Sequence, residues 1–176
     1  MVNHQLEKES MTTVNWGFGP AKLTWLAASA DIDLNNVTSV HGYLLHNNQL
    51  AIVQNKRKGF EIPGGHVEKG ETLEASLRRE ALEEACVTIE KPKLLGFVEV
   101  NNSKNPEFPD DSPYPKVGYL AFFCADIREL LPFSAEFETS HRQFIEPSSL
   151  PKAHHAWNSV FQQSLENLSQ QVNIGD

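Results

Sequence analysis

The sequence predicts an α/β domain in which helices are layered on a mixed β-sheet. Three observations carry that prediction. Short β-rich runs at 37–45, 50–53, 94–100 and 117–125 recur between turn signals. Two other stretches, 72–85 and 153–168, repeat apolar residues at helical spacing. The helical stretches are interleaved with the strands, which is the order of a layered α/β chain.

The chain of 176 residues, 40% of them hydrophobic, fits one domain with a sizeable core. Residues 1–20 are polar, aperiodic and punctuated by Gly17, Gly19 and Pro20, so they are expected to be a weakly ordered lead-in to a single domain at 21–176. No run of about 18 apolar residues exists to span a membrane, and no apolar stretch follows Glu7, Lys8 and Glu9 as a signal peptide requires. Cys86 and Cys124 form no CxxC pattern, which argues for a reducing, cytoplasmic home. The net charge of −8 excludes broad nucleic-acid binding, which needs an excess of Lys and Arg.

Along the chain, residues 23–28 suit a short strand and 31–36 a connector. Asn47 and Asn48 separate the runs at 37–45 and 50–53. Asn tolerates the positive φ of a tight turn, so these runs form an antiparallel hairpin. A basic loop, Lys56-Arg57-Lys58, then leads through Phe60 and Pro63 to Gly64-Gly65. The helix at 72–85 opens on Thr72 as N-cap, with Glu74 in a first turn whose dipole favours an anion. Leu73, Leu77, Ala81 and Ala85 make one apolar stripe and Ala75, Leu82 and Cys86 a second, which predicts packing on more than one neighbour. Four prolines between 101 and 115 mark a long irregular loop beside the core, where ligand contacts concentrate. A last short strand at 144–145 precedes the terminal helix at 153–168.

Within the first helix, Glu80, Glu83 and Glu84 stand at i, i+3 and i+4, on one face. Like charges at that spacing repel unless a cation lies among them. Two readings account for the cluster: a surface helix laced by pairs such as Arg79–Glu83, or a site for a hard divalent ion that takes oxygen ligands. The Gly64-Gly65 turn just upstream, which lets backbone approach the same ion, tips the balance to the second.

Gly65, Glu71 and Arg79-Glu80-Ala81-Leu82-Glu83-Glu84, closed by Val87, resemble the Nudix box, G-x5-E-x7-R-E-U-x-E-E-x-G-U with U apolar. All charged positions match at the family spacing, and Pro63-Gly64 ahead of the box also resembles the family. The order of elements extends the likeness over 37–168 and implies a Nudix-like α/β/α sandwich. One position departs: Cys86 stands where the family places a Gly that closes the helix in a left-handed conformation.

The resemblance implies a hydrolase of phosphoric anhydride bonds, acting on a nucleoside diphosphate linked to another moiety. Glu80 and Glu84 would then hold Mg²⁺ or Mn²⁺, joined by the Gly64 carbonyl. Glu83 would serve a second ion or act as base, and Arg79 with Glu71 would support catalysis by holding the box in shape. Lys56, Arg57 and Lys58 fit either phosphate contacts or a solvated loop, and Phe60, Tyr114 and Tyr119 are candidates to stack on a base. Glu99, Glu107, Asp110 and Asp111 are candidates for an acidic residue outside the box. The adjacent His154-His155 pair has poor metal-ligand spacing on a helix, and the lone His141 is read as structural. The expected partner is a small nucleotide, with a homodimer as one assembly. Nucleoside triphosphates, oxidised dNTPs included, come first among substrates, because neither the proline of ADP-ribose hydrolases nor the tyrosine of dinucleoside polyphosphate hydrolases stands past the box. Those two activities, and a non-catalytic nucleotide-sensing module, are the alternatives.

Overall fold

A computed structural model of the protein describes residues 10–172. The strands are β1 (Met11–Asn15), β2 (Pro20–Ala27), β3 (Val37–His46), β4 (Gln49–Asn55), β5 (Gly59–Glu61), β6 (Gly64–His66), β7 (Val87–Asn101), β8 (Val117–Leu130) and β9 (Thr139–Ile145). The helices are α1 (Leu73–Ala85), α2 (Leu150–Ala153) and α3 (Ser159–Gln171). The strands form one sheet in the order β1-β2-β7-β8-β3-β4-β5, with β6 paired to β3 and β9 to β4. The β3–β8 pair is parallel and the other pairs are antiparallel, so the sheet is mixed.

Successive strand residues point to opposite faces, and the two faces are covered by different helices. Tyr43, Leu45, Leu50 and Ile52 pack with Val160, Leu165 and Leu168 of α3. Their neighbours Leu44, Ala51 and Val53 pack with Leu77, Ala81 and Ala85 of α1. The central strands are therefore apolar at consecutive positions, and the architecture is the expected α/β/α sandwich. No helix of the described residues is long and apolar enough to cross a membrane.

Several local expectations hold for the stated reasons. Asn47 and Asn48 take φ of 50° and 62°, both left-handed, in the tight turn of the β3–β4 hairpin. Thr72 caps α1, its side chain accepting from the Ala75 N–H at 3.1 Å.

Others are corrected. The lead-in expected over 1–20 contains β1, which pairs with β2 along Met11–Asn15, while residues 1–9 lie outside the described residues. Strand β7 starts at Val87, well before the expected 94. Lys91 and Pro92 sit in a bulge that shifts the register between Glu90 and Lys93, so the proline interrupts the ladder only locally. The single helix expected at 153–168 is two. Asn158 accepts from the N–H groups of Val160 and Phe161 and so starts α3 afresh, while the His155 N–H is drawn to the Phe60 carbonyl at 2.9 Å. The second apolar stripe of α1 does not pack on another neighbour: Ala75 and Leu82 are exposed and only Cys86 is buried. The buried face of α1 instead joins Leu77, Ala81 and Ala85 to Ser76, Glu80 and Glu84, so two of the three clustered carboxylates face inward.

Candidate active site

Each part of the site is set by a neighbouring element. The Gly64-Gly65 strand β6 is held against β3, with His41 opposite Gly64 and Val40 opposite Gly65. This brings the glycines beside α1. A Cβ on Gly65 would collide with the Glu80 carboxylate, so only glycine admits so close an approach. The Gly64 N–H donates to Glu84 Oε2 at 2.9 Å.

Arg79 gathers the carboxylates on one side. Its Nε donates to Glu71 Oε1 at 2.8 Å and its Nη2 to Glu71 Oε2 at 3.0 Å, a bidentate pair. Its Nη1 reaches Glu80 at 2.7 Å and Glu83 at 3.3 Å, and its Nη2 also donates to the His66 carbonyl at 2.8 Å. The Arg79–Glu83 pair of the first reading is present, inside a larger network. The guanidinium holds the Glu71 carboxyl down at about 2.

Glu84 stands apart from that network. Desolvation by burial pushes its carboxyl up to about 8, against the Gly64 hydrogen bond that lowers it and with Glu80, Glu61 and Glu138 raising it further. Burial also raises Glu80, with Arg79 opposing. Among the described residues Glu84 makes no ion pair. A cleft of about 560 Å³ opens here, lined by Gly64, Gly65, Glu84, Glu61 and Glu138 together with Lys58, His41, His154 and His155. His155 Nε2 lies 3.2 Å from Glu61 Oε2. Desolvation holds His41 at about 4, with His154, Lys58 and His66 adding to the effect. Desolvation, with His155 beside it, holds His154 at about 4 as well. Both rings are neutral at pH 7.

The donor chemistry suits a divalent cation. A buried Glu84 without an ion pair and a buried Glu80 shared with Arg79, next to a glycine backbone, offer the hard oxygens that Mg²⁺ or Mn²⁺ takes. Among the described residues no three His, Cys, Asp or Glu side chains already converge on one point, and Arg79 Nη1 holds Glu80 and Glu83 instead.

Other expected site residues fall elsewhere. Lys56 Nζ donates to the carbonyls of Ala135 and Phe137 at 3.1 and 2.7 Å, which ties it to the loop before β9. Arg57 is exposed, and the basic residue of this loop that lines the cleft is Lys58. A turn of three consecutive basic residues cannot aim all of them one way. Phe60 packs against the α3-side core and edge-on to His141, at a centroid distance of 6.4 Å. Tyr119 packs against the α1-side core. Of the four acidic candidates outside the box, Asp111 lines an adjoining cavity and none lines the cleft. Glu61 and Glu138 do, and sequence reasoning passed over both. Glu61 carried a weak signal, lying just before Ile62-Pro63-Gly64. Glu138 carried none, because β9 brings it in from far along the chain.

Cys86 accepts the left-handed conformation, with φ of 52° and ψ of 49°. The helix end around it is clamped from β9. Arg142 Nη1 donates to the carbonyls of Ala85 at 2.7 Å and Cys86 at 3.0 Å, and Thr139 Oγ1 donates to the Glu84 carbonyl at 2.6 Å.

Comparison with known proteins agrees with this fold. The fold is similar to that of the Bacillus subtilis pyrophosphohydrolase BsRppH, with a TM-score of 0.71 at 20% identity over 88% of this chain and 94% of that one. It is also similar to a Nudix hydrolase from Nitrosomonas europaea, with a TM-score of 0.60 at 16% identity over 77% and 90%. An ADP-ribose pyrophosphatase from Streptococcus suis matches with a TM-score of 0.54 at 17% identity over 76% and 91%. The profile of the NUDIX domain matches residues 36–165. That span is most of the chain and contains the whole box, so the protein belongs to the NUDIX family.

Proposed function

We propose that this Nudix hydrolase cleaves the diphosphate of a nucleotide with the help of Mg²⁺ or Mn²⁺ bound at Glu80 and Glu84, with nucleoside triphosphates, oxidised dNTPs among them, as the leading substrates. The observation that carries the reading is Glu84. A buried carboxylate pushed up to about 8, on a cleft wall with Glu61 and Glu138 beside it, is a costly arrangement for an empty protein and a favourable one once a cation is added. The ion supplies neutralisation of phosphate oxygens and a lowered pKa for bound water.

The chain's own groups divide the remaining work. The Gly64 carbonyl, with Glu80 and Glu84, is the proposed oxygen set for the ion. Glu83 is less buried than its neighbours and is bridged to Arg79, which suits a second ion or the taking of a proton. Arg79 and Glu71 keep the helix and the glycine turn in register. Of the three basic loop residues considered for phosphate contacts, Lys58 lines the cleft and takes that role, and the neutral His41 and His154 supply hydrogen-bonding groups without a second fixed charge. Proteins of similar fold are named a pyrophosphohydrolase, an ADP-ribose pyrophosphatase and a MutT Nudix hydrolase, so the fold does not choose the substrate.

The test is a panel on the native protein: canonical and oxidised dNTPs, ADP-ribose, diadenosine polyphosphates, NADH and 5′-triphosphorylated RNA, with Mg²⁺, Mn²⁺ or a chelator. Metal-dependent release of product from a triphosphate supports the reading. Inactivity on every compound with both metals would overturn it in favour of a nucleotide-sensing module.

A further inference from the structure

A second cavity, about 640 Å³ in volume, adjoins the cleft and is walled by parts of the chain outside the box. One wall is the tip of the β1–β2 hairpin, where Trp16 is 53% and Phe18 65% exposed. The other is the proline-rich loop, which presents Tyr114. Large aromatic side chains left open to solvent around one concavity mark a ligand surface more often than a structural one.

The two walls are pinned together. The Asn105 side chain is buried, donates to the Phe18 carbonyl and accepts from the Glu107 N–H at 2.9 Å. Gly19, at φ +81°, makes room for it, since a Cβ there would collide with the Asn105 amide. The cavity is also joined to the box. Tyr114 stacks on His66 at 5.6 Å and 25°, its hydroxyl 2.9 Å from His66 Nε2, and the His66 carbonyl accepts from Arg79. Trp16, Ser39, His66 and Leu120 line both spaces.

We propose that this cavity is the base subsite, in which Phe18 and Trp16 stack on the nucleobase of the nucleotide whose diphosphate lies at Glu80 and Glu84. The inference rests on the phosphate-site reading of the cleft. The volume suits a nucleoside, and aromatic faces take up any base through its π-surface. Asp111, which lines the cavity, accepts hydrogen bonds but offers none when ionised, so it suits an N–H donor on a base edge, which every base carries. Trp16 and Phe18 precede the span matched by the NUDIX profile, so this wall lies outside the matched domain span.

Calorimetry on the full chain with Mg²⁺ tests the subsite. The probes are methylene-bridged analogues of ATP and GTP, whose P–C–P link resists cleavage, and methylenediphosphonate as the base-free control. Loss of a stacked base corresponds to roughly 1–3 kcal/mol, a weakening of roughly five- to 150-fold. Phe18→Ala and Trp16→Ala are each expected to show it, with methylenediphosphonate affinity unmoved and Trp16→Phe restoring most of the nucleotide affinity. Unfolding temperatures check that both alanine variants keep the fold. Nucleotide affinity unchanged in both alanine variants overturns the subsite, as does a native protein that binds the nucleotide analogues no better than methylenediphosphonate. Hydrolysis assays separate the two readings. Base-dependent binding without turnover keeps the subsite and removes the hydrolase, while turnover with binding indifferent to Phe18 and Trp16 does the reverse.

Discussion

Glu71 and Glu84 serve the same short segment of chain, yet their surroundings drive them in opposite directions. Glu71 receives a bidentate guanidinium and is held down at about 2. Glu84 receives one backbone N–H, is buried, has other carboxylates for company, and rises to about 8. The first arrangement has a cation at its centre: Arg79 pairs with Glu71 and Glu80 and locks the loop to the helix. The second has no cationic partner among the described residues, and the proposed metal ion would supply one. The contrast between the two carboxylates is therefore whether a cation of the protein itself stands beside them.

The largest effect should follow from Glu84→Gln, which keeps the shape and removes the charge. Metal-dependent turnover is expected to fall by on the order of a thousandfold, read as kcat in steady state. Stability should respond in the other direction. A carboxyl raised from its ordinary value to about 8 on folding stabilises the metal-free protein fully below pH 4.5 and loses that contribution as pH rises to 8. The slope from this one group is up to about 1.4 kcal/mol per pH unit, so metal-free Glu84→Gln should unfold at a higher temperature than the native chain at pH 8. Mg²⁺ should close the gap by stabilising the native protein alone. A native stability flat between pH 5 and 8 without metal would break the contrast between the two carboxylates.

Arg79→Lys tests the paired side. Lysine keeps one positive charge but cannot reproduce the fork that holds Glu71 through both oxygens while reaching Glu80, Glu83 and His66. The expected loss is about 2 kcal/mol in chemical denaturation at neutral pH, with turnover lowered by roughly tenfold through displacement of the glycine turn. The pH dependence has the opposite sign to that of Glu84. A carboxyl depressed to about 2 contributes stability above pH 4.5, and that contribution disappears as pH falls through 2. The stability difference between native and variant should therefore be constant above pH 5 and shrink towards pH 2. A difference independent of pH would mean that Arg79 acts through packing alone.

The box was legible because its chemistry is local in sequence: fixed spacings on one helix, a glycine turn directly ahead, and a threonine cap. The Asn47-Asn48 hairpin was legible for the same reason. What escaped is what tertiary structure decides. Glu138 and Glu61 join Glu84 only through the pairing of β4 with β9 and β5. Lys56 rather than Lys58 is turned away because the carbonyls of Ala135 and Phe137 happen to lie within its reach. Residues 11–15 lack any apolar alternation, yet pair as an edge strand because β2 offers them a partner. The helix at 153–168 divides because the carbonyl of Phe60, remote in sequence, takes the N–H of His155.

Cys86 asks which of two devices fixes the end of the helix that carries Glu84. In the box pattern a glycine does this through its freedom at positive φ. Here a cysteine occupies the same left-handed conformation, at a cost on the order of 1 kcal/mol. Arg142 and Thr139 meanwhile bind the carbonyls of Glu84, Ala85 and Cys86 from β9. If those clamps dominate, Cys86→Gly gains the strain back but gives up a buried side chain and loosens the unfolded chain, effects of similar size and opposite sign. The expected net change is under about 1 kcal/mol with kcat unaltered. Arg142→Ala should destabilise by about 1–3 kcal/mol, since it leaves those carbonyls short of a partner, and should lower kcat by moving Glu84. A large gain from Cys86→Gly with a silent Arg142→Ala would reverse the order and place control of the Glu84 end of the helix in the backbone of residue 86 itself.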